Sequence, residues 1–187
     1  FLILNRKALR SELTGLLWTD SDSTTALKNL RHAAYSIRKA IGYNLFAEGQ
    51  RSVLELAPEI DIHCDVQQFE DGDILAYHGE LLEDFAIPHA DVFEAWASDQ
   101  RSHLRAQYLK QLFSTGKTAF AARDLTLAEH CCNAYLRSDP LEESVVAMLM
   151  QIYQLQKKYR HAIELYDELR QNLESEFGLP PLKETSQ

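Results

Sequence analysis

Lys28, Arg31, His32, Arg38 and Lys39 lie within one stretch, TTALKNLRHAAYSIRKAI (24–41), that contains no acidic residue. Cationic side chains gathered in this way suit one kind of chemistry. They neutralise phosphates and release bound counterions, so the affinity they confer falls with salt. Asn29, His32, Tyr35 and Ser36, in the same stretch, offer hydrogen bonds and apolar contacts of the sort that base edges accept.

Other reactive residue types are present, but their spacing does not bring them to a common point. His63, Cys64 and Asp65 are consecutive, and in an extended segment consecutive side chains point to opposite faces. Cys131 and Cys132 lack metal-ligand spacing, and on a helix they would point about 100° apart. His130, His161 and Glu164 do not form an HExxH pattern. Glu142–Glu143 reads as first-turn acids favouring a helix dipole. No glycine-rich phosphate loop is present. The sequence therefore predicts no catalytic residue, no metal site and no cofactor.

The basic segment stands out against the rest of the chain. The 187 residues carry a formal net charge of −9. Residues 1–52 hold eight Lys and Arg against four acids, a net +4, and the remainder holds eleven against twenty-four, a net −13. Such asymmetry indicates two modules with different partners. An acidic module repels nucleic acid, which confines any such contact to the first module.

The elements that must position these residues follow from periodicity. Leu9–Trp18 reads as a short helix with Leu9, Leu13, Leu16 and Leu17 on one face. A polar turn, Thr19–Ser23, leads into the basic helix Thr24–Ile41, with Asp22 and Ser23 as N-cap candidates and Gly42 as its stop. Leu27, Leu30, Ala34, Ile37 and Ile41 form one apolar stripe. Thr25, Lys28, His32, Tyr35, Ser36 and Lys39 occupy the opposite face, flanked by Arg31 and Arg38. Leu45–Phe46 and Val53–Leu56 are β-prone pieces around a hairpin tip that contains Gly49 and Arg51. Ile60–Val66 is a further strand candidate. Asp65 is placed as the cap of a helix through Phe69, and Ile74–Leu82 as a helix broken by Gly79.

From His89 onward the pattern is helical, over Ala90–Ala121, Leu125–Leu136, Leu141–Leu155 and Tyr159–Phe177. A shift of 34 residues superposes Leu125 on Tyr159, Ala128 on Ala162, Cys131 on Leu165 and Tyr135 on Leu169. That is the period of tetratricopeptide repeats. With only 7 Gly and 5 Pro, the fold class is mainly α. It comprises a partial winged helix-turn-helix with a small hairpin over 1–62, then an all-α tetratricopeptide-like domain over 63–187. No apolar run reaches the roughly 18–20 residues needed to span a bilayer, so no membrane partner is expected. FLILN is too short for a signal peptide and reads as the end of a longer apolar element. Three cysteines without framework spacing point to reduced thiols in a cytoplasm.

The stretches LTGLLWTDSDSTTALKNLRHAAYSIRKAIG, VLELAPEIDIHCDVQQFE, YHGELLEDF and FEAWASDQRSHLRAQYL occur in a telling order. They precede LAEHCCNAYLRSDPLEESVVAMLMQIYQLQKKYRHAIELYDELRQ and GLPPLKET. In this order the chain resembles the bacterial transcriptional activators related to the Streptomyces antibiotic regulatory proteins. These join an OmpR-type winged helix to a bacterial transcriptional activator domain. The resemblance implies a recognition helix at Thr24–Ile41 and a wing at Phe46–Leu56. It implies DNA-facing roles for Thr25, Lys28, Asn29, Arg31, His32, Tyr35, Arg38, Lys39 and Arg51. The implied partners are double-stranded DNA, a second copy of the chain and RNA polymerase. The chain enters the family pattern near the end of its first helix. The alternative expectation is a tetratricopeptide-like adaptor with no DNA role, its basic helix docked on an acidic protein surface.

Overall fold

Asp22 and Gly42 mark the two ends of the basic helix. In the computed structural model of the protein, which describes residues 1–47, 49, 51–182 and 185, α3 runs over Ser23–Ile41. The Asp22 carboxylate accepts from the N–H groups of Thr24 and Thr25 at 3.0 and 3.1 Å. Gly42 takes the left-handed conformation (φ 89°) and donates to the Arg38 carbonyl, which closes the last turn.

The bracing helix is shorter than its periodicity suggests. α2 spans Arg10–Leu17, because Leu9 belongs to a strand, β1 (Lys7–Leu9), preceded by a single turn, α1 (Leu2–Asn5). β1 pairs antiparallel with β2 (Val53–Glu55) in the register Lys7↔Glu55, Ala8↔Leu54, Leu9↔Val53. On its other side the β2 segment meets the return from Leu45. The contacts are the Phe46↔Leu56 bridge, Ala47 N–H to Glu55 carbonyl (2.9 Å) and Ala57 N–H to Leu45 carbonyl (2.8 Å). The expected hairpin is thus present in short form. Glu48 and Gln50 of its tip lie outside the described residues.

Two packed clusters hold this part together. Ala8, Leu13, Leu30, Phe46, Leu54 and Leu56 form one. Leu16 of α2, with Ala90, Phe93 and Ala97, forms the other. Ala90 precedes α5 (Asp91–Ala121), which contains the last two. The chain accordingly divides into compact units at Phe1–Leu104 and Arg105–Gln187.

Three local expectations are corrected. Ile60–Val66 is not a strand, because β1 and the Phe46 segment already occupy both sides of the β2 segment. The chain stays irregular until Cys64 precedes α4 (Asp65–Glu70). Ile74–Leu82 is not a helix but a single 3-10 turn, Ile74–Ala76, capped by Asp73 and ended by extended Tyr77. Arg101 instead binds the carbonyls of Leu81 and Leu82, at 2.8 and 3.0 Å, and Leu82 and Asp84 have positive φ. Finally, the apolar stripe of α3 is covered only in part. Leu30 is buried, whereas Ile37 and Ile41 are 42% and 45% exposed.

The second unit repeats itself in backbone detail. α6 (Leu125–Ser138) and α8 (Tyr159–Phe177) begin 34 residues apart. So do the ends of α5 at Ala121 and of α7 (Glu143–Leu155). Arg123 and Lys157 are both left-handed, at φ 65° and 61°. The turn bonds Asp124 N–H to Ala119 carbonyl and Lys158 N–H to Tyr153 carbonyl also match at this spacing. Ala128 and Ala162 are both buried, as close helix approach requires. The central layer is α7, whose Val145, Val146, Leu149 and Ile152 are almost fully buried. At Gly116, an added Cβ would lie 3.2 Å from Cys131 Cβ and 3.6 Å from Met148 Cε. Glycine there lets α5, α6 and α7 meet.

Candidate nucleic-acid interface

The outer face of α3 is solvent-facing along its length. Thr25, Lys28, Arg31, His32, Tyr35, Ser36, Arg38 and Lys39 are all exposed, and Asn29 is half-buried. Thr25 is also engaged locally. Its hydroxyl and N–H hold the Asp22 carboxyl below the usual carboxylate range, which keeps the helix start capped. Arg51 is exposed in the turn before β2.

These residues divide into two groups by surroundings. Lys28, His32 and Lys39 stand on the open face. The arginines line two depressions between α3 and the strand segments. The larger, of about 530 Å³, is lined by Arg31 and Arg51 together with Arg10, Ser11, Thr14 and Ser52. The smaller, of about 330 Å³, shares Arg10 and Arg31 and adds Arg38, Tyr35 and Asn44. Among the described residues, neither depression contains a carboxylate, and none of these four arginines makes an ion pair. In a protein with 28 acidic residues, four arginines facing open space without one is a specific arrangement.

Arg10 does not stand out in the sequence. It opens α2, outside the basic segment, and reaches the site through the fold. Its N–H donates to the Ser52 carbonyl at 2.8 Å, which ties the start of α2 to the turn that carries Arg51. The only available signal was a cationic residue at the start of a helix, where the dipole disfavours it.

The remaining reactive residues lie elsewhere. His63 pairs with Asp61 at 3.5 Å on the open surface. Cys64 is buried, and its Sγ lies 3.9 Å from Asp65 Oδ1. Cys131 and Cys132 are buried as free thiols. Burial pushes the Cys132 thiol up to about 12, helped by the neighbouring Cys131, so it is packing material rather than a nucleophile.

Fold and surface together define a mainly helical protein. A basic helix is braced against a small sheet, and a helical repeat follows. Residues 43–187 match the bacterial transcriptional activator domain, and the chain belongs to that family. The family is one of transcription regulators rather than enzymes. Comparison with curated proteins found none that matches. No described helix is long and apolar enough to cross a membrane.

Proposed function

We propose that the protein is a DNA-binding transcriptional activator whose α3 reads the major groove. In this reading α2 and α3 act as a helix-turn-helix, and the hairpin carrying Arg51 is the wing that grips the backbone. Residues 1–62 carry the DNA contacts. Residues 63–187 provide dimerisation or contact with the transcription machinery, in the cytoplasm. The observation that carries the reading is the exposed, acid-free face of α3, with Lys28, Arg31, His32, Arg38 and Lys39 on one helix of a protein of charge −9. Its membership in a transcriptional activator family supports the same direction.

The test is selection of bound duplexes from a random pool, followed by fluorescence-anisotropy titration of the best binder. Joint substitution Lys28→Glu, Arg31→Glu and Arg38→Glu is expected to weaken binding by roughly 100-fold or more, since three phosphate contacts become repulsive. An unchanged affinity sinks the groove assignment. The spacing of half-sites in the selected duplexes reads out the number and orientation of bound copies.

A further inference from the structure

We infer that Arg10, Arg31 and Arg51 form a seat for a single backbone phosphate. The inference rests on the DNA-binding reading and goes beyond it. It assigns one phosphodiester to one site and adds a residue from outside the recognition helix and the wing.

Three independent elements supply the cations. Arg10 opens α2, Arg31 lies in the middle of α3, and Arg51 precedes β2. All three line the same depression, with the hydroxyl-bearing Ser11, Thr14 and Ser52 beside them and no carboxylate among the described lining residues. Thr14 is partly accounted for, because its hydroxyl donates to the Ser11 carbonyl at 3.0 Å. Ser11 and Ser52 are exposed.

The chemistry selects an oxyanion. Guanidinium groups present planar forks that match phosphate in bidentate geometry, and serine hydroxyls donate to the remaining oxygens. The cations beside this site differ in type: Lys28 and Lys39 sit on the open face of α3, and neither lines the depression. Three like charges around one cavity repel one another unless an anion enters. A carboxylate of the protein would serve, and the described residues supply none there. Arg10 is also fixed by its backbone, since its N–H is bonded to the Ser52 carbonyl. A phosphate bound in this seat therefore joins α2, α3 and the Arg51 turn at one point, setting the hairpin against the helix in the bound state.

The experiment is methylphosphonate scanning of the selected duplex, neutralising one phosphate at a time. Wild-type protein is compared with Arg10→Gln and with Arg51→Gln, each checked for its native thermal melt. Wild type is expected to lose about tenfold at one phosphate per half-site. Each variant binds the unmodified duplex about tenfold more weakly and loses less than wild type at that same position. Arg10→Lys keeps the charge without the fork and recovers only part of the affinity. If both variants show the same neutralisation profile as wild type, the seat is overturned while DNA binding stands. If wild type selects and binds no duplex, both the seat and the proposed function fall. Arg51→Gln, on the exposed turn, decides the matter should Arg10→Gln not fold.

Discussion

The two units handle charge in opposite ways. In Arg105–Gln187 three of the described cations pair with acids on their own unit. Lys158 meets Glu129 at 3.1 Å, Arg160 meets Glu164 at 2.7 Å, and Arg170 meets Asp167 at 3.2 Å. In Phe1–Leu104 no described Lys or Arg makes such a pair. Arg6 and Arg101 bind backbone carbonyls there, whereas Arg10, Arg31, Arg38 and Arg51 line open depressions. The described Lys and Arg ion pairs thus all fall in the second unit, while four arginines of the first line open depressions. Net charge does not report this difference, since Phe1–Leu104 holds nine Lys and Arg against seventeen acids and Arg105–Gln187 ten against eleven.

Salt provides the widest separation between the two. On the proposed reading, with Arg10, Arg31 and Arg51 on one phosphate and Arg38 on another, these arginines alone predict duplex affinity falling roughly tenfold between about 50 and 200 mM salt. The second unit's exposed pairs are worth little, so its melting should barely move over that range. A flat anisotropy-derived affinity across the titration would break the contrast.

A smaller effect probes the packing of the second unit. Gly116→Val places a branched side chain where even a Cβ meets Cys131 at 3.2 Å. Overpacking of this kind costs about 1–3 kcal/mol, measurable by urea denaturation. Gly116→Ala is the sharper comparison, because its helix-propensity gain of about 1 kcal/mol offsets part of the crowding. A valine variant as stable as wild type would show that the three helices do not meet as described.

Glu129 carries the smallest expected effect. Burial opposes its ionisation, but hydrogen bonds from Gln156 and Lys158, with the charge of Lys158, hold its carboxyl below the usual range. A depressed carboxyl adds stability that is present above its unfolded value and lost as pH falls through the folded one. Glu129→Gln should therefore cost less than about 1 kcal/mol near neutral pH. It should also flatten the loss of stability on acidification, and an unaltered acid limb in denaturation series would remove Glu129 from the account.

The parts legible in the sequence were those with local rules. Asp22 and Gly42 announce α3 because caps act within a turn. The 34-residue shift announces α6 and α8 because both carry the same buried Ala, at 128 and 162. β1 was not legible, since three residues carry no period and its partner lies about 45 positions away. Ile74–Leu82 failed because the chain turns extended at Tyr77 after one 3-10 turn, and Arg101, remote in sequence, holds the Leu81 and Leu82 carbonyls of the irregular return. The candidate site was half legible. Arg31, Arg38 and Arg51 were chosen for charge, while Arg10 enters only through the strand pairing that brings Ser52 to it.

The exposed end of α3 has a consequence in plain dimensions. Every residue from Tyr35 to Gly42 is exposed, with Tyr35 and Arg38 also bordering the smaller depression beside the strand segments. At 1.5 Å per residue the last seven helical residues make a cylinder about 10 Å long and about 10–12 Å across. The major groove of B-form DNA is about 12 Å wide and 8.5 Å deep. On the proposed reading, a rod of that calibre matches the width of such a channel.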